Sequence, residues 1–177
     1  MRRSLNLGIF AVPFLVMLGQ AQSALAQTPK PDPTPRDVLL RHWTEIGDKV
    51  VKMAEEFPED KYDFKPVPAV RTFADNLRHV AFWNTYVSAQ VKGEKIDPQI
   101  NELPKAKYPN KAAIVKALKS SLDEATALLK NGPATPSPKL VDLWVSFIEH
   151  SGEHYGQLVV YYRLNNIVPP ASRPGGN

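Results

Sequence analysis

The sequence predicts an all-α protein built as a four-helix bundle. Four stretches of about 20 residues repeat apolar side chains at intervals of three and four, which is the spacing of one helix face. Proline-rich or charged segments separate these stretches. No stretch has the sustained alternation of apolar and polar residues that is typical of a strand. Four amphipathic helices in one chain can bury their apolar faces against one another, which favours a bundle.

The start of the chain is interpreted as an export signal rather than as part of the fold. Two arginines precede an uncharged apolar run, residues 7–18, and a small-x-small cleavage site follows, ending at Ala26. The run is shorter than the roughly 20 residues that a membrane-spanning helix needs, and a proline interrupts it. We therefore expect a cleaved signal peptide over residues 1–26, no stable membrane anchor after cleavage, and a periplasmic or secreted bacterial protein.

The rest of the chain is long enough for one domain with its own core. Residues 27–34 hold several prolines and are predicted to form an extended N-terminal tether. The bundle is predicted over residues 35–170 and a flexible tail over residues 171–177. The net charge of +4 includes two arginines of the signal, and the other charges are mixed along the chain, so we expect no nucleic-acid partner. The chain has no cysteine, which excludes catalysis by a thiolate of the protein itself.

Caps and apolar stripes define the first two helices. Thr34 is predicted to cap the first helix, with Pro35 in its first turn and an end near Phe57. Thr72 is predicted to cap the second helix, which ends near Gly93. The predicted buried positions are Leu39, His42, Ile46, Val50 and Met53 in the first helix, and Phe73, Asn76, Leu77, Val80, Trp83 and Val87 in the second.

Caps and apolar stripes also define the last two helices. Asn110 is predicted to cap the third helix, which stops at the Asn131-Gly132 pair. Ser137 and Pro138 open the fourth and longest helix, which reaches about Asn165. The predicted buried positions are Ile114, Leu118, Leu122, Ala125 and Leu129 in the third helix, and Leu143, Phe147, His150, His154 and Tyr161 in the fourth.

Three histidines are the candidate functional residues. His150 and His154 lie one turn apart on the buried side of the fourth helix, a spacing at which two imidazoles can bind one metal ion. His79 lies in the middle of the second helix, where a neighbouring helix can bring its ring to the same level. The alternative is that these are neutral core histidines with ordinary hydrogen bonds. Metal coordination is favoured because it would satisfy three buried polar groups at once.

Other residues near this cluster carry less specific signals. His42 is interpreted as a satisfied core residue of the first helix, although a role beside the metal is an alternative. Glu149 and Glu153 point away from the histidine face and are expected at the surface or behind the ligands. Gly152 is either a tolerated small residue or a place where a helix or substrate comes close. The aromatic residues are more often core, with the mouth of a pocket as the alternative.

Two segments resemble the DinB-like (DinB/YfiT) superfamily, and the resemblance spans residues 35–170. They are residues 72–79, TFADNLRH, and residues 150–158, HSGEHYGQL, which lead into YRLNNIVPP at residues 162–170. The resemblance implies an up-down-down-up bundle, often a homodimer, and a divalent metal, most often zinc or nickel. The metal ligands that it implies here are His79, His150 and His154.

The resemblance also implies kinship with metal-dependent thiol transferases and with maleylpyruvate isomerase. This sequence has Glu153 where the family often has a further histidine, and Tyr155 where it often has arginine, so no particular thiol is indicated. The first functional hypothesis is a metal-dependent transferase or hydrolase acting on a thiol or another small molecule. The second is an envelope protein that binds a metal or small ligand without turnover, and the third is a helical interaction module.

Overall fold

A computed structural model of the chain describes residues 31–175. The predicted signal peptide and residues 27–30 of the predicted tether lie outside the described residues, and residues 31–34 lead into the first helix without regular secondary structure. The α-helices are α1 (Pro35–Glu56), α2 (Phe73–Lys92), α3 (Lys111–Lys130) and α4 (Pro138–Leu164), and the short 3-10 turns are Glu59–Lys61, Pro98–Ile100 and Pro170–Ser172. The described residues form no strand, so the predicted all-α class is confirmed.

The helices begin and end where their caps predict. Thr34 and Thr72 each accept a hydrogen bond from the backbone N–H three residues later, and the acid at that position bonds back to the cap. These capping boxes satisfy N–H groups that a helix start leaves free. Gly93 ends α2 with φ of 76°, a left-handed conformation that glycine adopts without a steric penalty.

Contacts near the two ends of α1 show in which direction α3 and α4 run relative to α1. Trp43, in the first half of α1, donates to Thr126 near the end of α3, at 3.1 Å. Just beyond the end of α1, the Phe57 carbonyl accepts from Lys111 at the start of α3, at 2.8 Å. The two helices are therefore antiparallel. Trp43 also packs edge-on against the ring of Trp144 in the first half of α4, at 5.1 Å between centroids, so α4 begins at the same end as α1.

The direction of α2 completes the topology. Asn84 donates to Ser121 at 3.4 Å, and Lys92 pairs with Glu124, so α2 and α3 run in parallel. Helix α1 contacts α3 and α4, and helix α2 contacts the same two, which places α1 and α2 on opposite corners. The order is up-down-down-up, as the family resemblance implies.

The apolar core has two parts that lie at successive levels of the bundle. One is centred on aromatic rings at the end of α1, where Phe57 stacks on Phe73 at 3.9 Å between centroids. The other surrounds Trp43 and Trp144. On α4 the two parts are separated by polar residues, because His150 and His154 fall between Phe147 of the second part and Leu158 of the first.

The prediction that His42 is a core residue is wrong. His42 is exposed, and its neighbour Trp43 occupies the buried position with 1% of its surface accessible. The buried face of α1 passes through Leu39, Trp43 and Val50, one residue away from the predicted stripe at this level. Burial of the large indole explains the shift, because it removes far more apolar surface from water than an imidazole would.

Two features of the remaining chain complete the description. None of the described helices is both long and apolar enough to cross a membrane. The segment after α4 continues through the Pro170–Ser172 turn to Arg173, which pairs with Glu56 at the end of α1.

Candidate metal centre

The three predicted histidines meet between α2 and α4. His79 faces His150 across the two antiparallel helices, with 3.0 Å between their Nε2 atoms. His154 lies one turn further along α4, and its ring centroid is 4.6 Å from that of His79. One ring nitrogen of each residue lies within 4.8 Å of the others. The cluster thus has three imidazole donors directed at a common volume.

A strained loop residue orients His79. The Nδ1 atom of His79 lies 2.5 Å from the backbone carbonyl oxygen of Asn101, and a carbonyl can only accept, so Nδ1 carries the proton. This leaves the Nε2 lone pair free to face His150. Asn101 has φ of 59°, in the left-handed region where asparagine is one of the few tolerated residues besides glycine. The loop between α2 and α3 therefore fixes the tautomer of His79.

A chain of hydrogen bonds orients His154 in the same way. Its Nδ1 donates to the side-chain oxygen of Asn76, at 3.1 Å. The amide nitrogen of Asn76 in turn donates to the Tyr161 hydroxyl at 3.2 Å and to the Thr72 carbonyl at 3.3 Å. Tyr161 donates to the carbonyl oxygen of Arg71. Because Nδ1 of His154 is engaged, its Nε2 is the atom available to a ligand in the cluster.

All three imidazoles are neutral at neutral pH. Burial, together with the nearby positive charge of Arg71, lowers the pKa of His79 and of His154 to about 4. Burial, together with positive charge on the other two histidines and on Arg71, lowers the pKa of His150 to about 3. A metal ion binds the neutral form of imidazole, so no proton needs to leave these rings before they can act as ligands.

The residues present fit a divalent metal ion. Two imidazole nitrogens that bind one zinc ion tetrahedrally at 2.0–2.1 Å lie about 3.3 Å apart, close to the 3.0 Å between His79 and His150. A donor set of imidazoles alone suits zinc, nickel, copper or iron rather than magnesium or calcium. Within the described residues the cluster offers three candidate ligands, which would leave a coordination position open for water or a substrate.

Aromatic side chains flank the cluster on one side. Trp83 stacks on Phe147 at 5.5 Å between centroids, and its indole ring is 5.9 Å from the ring of His150. The indole N–H of Trp83 is buried and has no hydrogen-bond partner within residues 31–175. Trp43 and Trp144, by contrast, are packed against each other in the core. Of the three tryptophans, only Trp83 lies beside the histidines.

A cavity of about 500 Å³ lies beside Asn76, the residue that holds the His154 ring. Arg71, Asn76 and Gln157 supply its polar lining, together with Ala69 and Val70 from the loop before α2. Asn76 contacts His154 directly, so the cavity lies against the histidine cluster.

The remaining candidates from the sequence lie away from the ligand atoms. Glu149 and Glu153 are exposed, as expected for residues outside the histidine face. Apart from its chain neighbours and the backbone of α4 itself, a Cβ atom added to Gly152 would meet no described atom within 4 Å, so no neighbouring helix makes a close approach there. The possibility that a substrate uses that space stays a prediction.

Sequence reasoning missed the residues that orient the histidines. Asn76 was assigned to the buried face of the second helix but given no role, although an amide on an otherwise apolar stripe three residues before His79 was a usable signal. Asn101 acts through its backbone carbonyl, which no side-chain pattern reveals. Arg71 precedes the helix cap, and its position beside the cluster depends on the tertiary fold.

These observations define a class: a four-helix bundle with a buried three-histidine cluster that is compatible with a metal site. A family model of the DinB superfamily matches residues 42–158. The match covers more than half of the 177 residues, and the chain belongs to the DinB superfamily. A comparison with curated proteins returns no match.

Proposed function

We propose that the protein is a metal-dependent transferase or hydrolase that acts on a thiol or another small molecule. His79, His150 and His154 hold one divalent metal, with zinc or nickel as the first candidates. The observation that carries the proposal is the convergence of three neutral imidazoles with two Nε2 atoms 3.0 Å apart, in a cluster that has no fourth protein ligand within residues 31–175.

The residues of the chain and the metal have separate tasks in this function. A bound divalent metal lowers the pKa of a water or thiol ligand, which supplies a nucleophile near neutral pH. Asn101 and Asn76 hold the protons on Nδ1 of His79 and His154, so that the other nitrogen of each ring stays available. Phe147 and Trp83 exclude water from one side of the cluster, and the cavity beside Asn76 admits a small molecule from the other.

Export is a second part of the proposal. The basic start, the short apolar run and the Ala26 cleavage site support a mature protein that works in the periplasm or outside the cell. Intact-mass measurement of the protein recovered from the periplasm tests this part. A mass that corresponds to a start at Gln27 is expected, and an uncleaved chain in the cytoplasm would contradict it.

The first test of the metal site is elemental analysis of protein purified without a histidine tag. About one metal ion per chain is expected in the wild type, and none in the double variant His150→Ala, His154→Ala. His42→Ala is the matched control, because His42 is exposed on α1 and lies outside the cluster. A metal-free wild type that is not stabilised by zinc, nickel or copper would overturn the proposal.

A second measurement separates turnover from simple binding. Metal-loaded wild type is screened with thiol-transfer and hydrolytic substrates, and the double histidine variant is the background control. Turnover that is lost with the metal supports an enzyme. One metal per chain with a filled coordination sphere, and no change in the metal spectrum on addition of thiols, would indicate a metal-binding protein without turnover.

A further inference from the structure

Arg71 is placed to act on whatever binds at the histidine cluster. It is the last residue before the Thr72 cap of α2, and its side chain lines the cavity of about 500 Å³ beside the cluster. Asn76 and Gln157, which line the same cavity, connect it to His154: Asn76 accepts from the ring, and Gln157 lies one helical turn further along α4. A molecule in this cavity would contact Arg71 and would lie against Asn76, the residue that holds the His154 ring.

The guanidinium of Arg71 has free donors. Its one ion pair is to Glu102, through Nε at 3.4 Å, and more than a third of each side chain is exposed. Ion pairs with this exposure contribute little and exchange readily. Within the described part of the chain, the Arg71 side chain donates only this bond from Nε, and neither Nη group has a hydrogen-bond partner. A guanidinium in this state can bind a carboxylate through two parallel hydrogen bonds.

The charge balance of the site calls for an anion. Imidazole binds a metal ion in its neutral form, so a divalent metal would keep its two positive charges, and Arg71 adds a third. Glu102 offsets one of them. Asp75, in the first turn of α2, is already engaged by Arg78 and by the Thr72 hydroxyl.

We propose that the site selects small organic anions: Arg71 binds the carboxylate of the ligand while another donor atom of the same molecule occupies the open coordination position. This inference rests on the proposed function and names the chemical class of its substrate. Glu102 acts as an internal competitor for Arg71, so its removal should strengthen anion binding rather than weaken it.

The test uses cobalt-loaded protein, because sulfur bound to cobalt(II) gives a charge-transfer absorption band that reports binding without turnover. Mercaptoacetate, 3-mercaptopropionate and 4-mercaptobutyrate are titrated, each against its neutral amide. We expect at least one acid to bind about tenfold more tightly than its amide, which corresponds to ~1.4 kcal/mol. Arg71→Met should abolish this preference, Arg71→Lys should keep part of it, and Glu102→Gln should increase it. Arg41→Met, an exposed arginine on α1, is the matched control and should leave it unchanged.

The outcomes separate the inference from the function on which it rests. Equal binding of acid and amide at every chain length, with the absorption band present, would overturn the inference and leave the metal site intact. A preference for the acid that survives in Arg71→Met would also overturn it, because another group would then be the anion receptor. If Arg71→Met does not fold, the opposite shifts expected for Arg71→Lys and Glu102→Gln decide the question. Absence of the band with every thiol would contradict both proposals.

Discussion

The α1–α3 and α2–α4 interfaces are each formed by two antiparallel helices, but their buried side chains have different roles. At the α1–α3 interface Gly47 lies against Leu122 so closely that an added Cβ would come within 2.3 Å of a leucine methyl carbon. The α2–α4 interface instead buries Asn76, His79 and His154, each less than 7% exposed. Buried polar groups cost free energy unless they are hydrogen-bonded or bound to a metal. The α1–α3 interface therefore stabilises the fold by apolar packing. The stability of the α2–α4 interface should depend on pH and on bound metal.

Among the predicted changes, lowering the pH should have the largest effect on the free energy of unfolding, and this effect should come from the α2–α4 interface. In the metal-free protein the histidines of the cluster have pKa values of about 4, 3 and 4, below the value of about 6.5 in an unfolded chain. The unfolded state therefore binds more protons between about pH 6.5 and pH 4. The stabilisation is complete above pH 6.5 and is lost as the pH falls, by about 1.4 kcal/mol per unit for each histidine.

Urea unfolding of the metal-free protein between pH 7.5 and pH 4.5 measures this effect. His150→Gln should flatten the profile by roughly one third of its slope, whereas His42→Gln should leave it unchanged, because His42 is exposed. A profile that is flat in the wild type would show that the cluster is hydrated rather than buried.

Metal removal should have the next largest effect. A ligand at 1,000 times its dissociation constant stabilises the folded state by ~4 kcal/mol. We expect a loss of this size when a chelator strips the wild type, measured as the shift in the unfolding midpoint with and without zinc. Leu118→Ala, in the α1–α3 core, should lower stability in both forms and keep the zinc-dependent difference. Loss of that difference in Leu118→Ala would mean that the two interfaces are not independent.

Two buried asparagines of α2 give a sharper comparison within one helix. Asn76 holds the Nδ1 proton of His154, while Asn84 donates to Ser121 of α3. Loss of a hydrogen bond to a metal-binding histidine typically lowers metal affinity 10- to 100-fold. Asn76→Ala should therefore weaken zinc binding by about this factor, measured by competition with a chelating dye. Asn84→Ala, which removes an amide of similar burial, should leave zinc affinity unchanged. An equal loss of zinc affinity in both variants would show that Asn76 contributes only through packing.

The contrast between the interfaces also explains which parts of the fold and of the histidine site can be predicted from the sequence. The helix ends follow from local chemistry, such as the Thr34 and Thr72 caps and Gly93, and local chemistry can be read from neighbouring residues. The meeting of His79 with His150 and His154 was predictable because all three lie on buried helix faces. The role of Asn101 was not, because it depends on a backbone carbonyl in a loop. His42 was misplaced because the spacing alone does not choose between two adjacent positions on α1.

The smallest effects come from two mid-helix glycines: Gly47, at the α1–α3 interface, and Gly152, in α4 at a point where no neighbouring helix comes close. Alanine in place of glycine stabilises a helix by about 0.5 to 1 kcal/mol when its methyl group has room. Gly152→Ala, in the histidine helix α4, should show this gain, because no described atom of a neighbouring helix lies within 4 Å of the added Cβ. Gly47→Ala should instead destabilise by about 1 kcal/mol net, because overpacking against Leu122 outweighs the helix gain.

Thermal unfolding of the two glycine variants, with and without zinc, compares them directly. Opposite signs are expected, with zinc affinity the same in both. A Gly47→Ala variant as stable as the wild type would mean that Leu122 moves aside and that the α1–α3 interface is not closely packed. A Gly152→Ala variant that gains stability and binds zinc normally, yet binds mercapto acids more weakly, would place the ligand over Gly152 and extend the binding site from Arg71 across the histidine cluster.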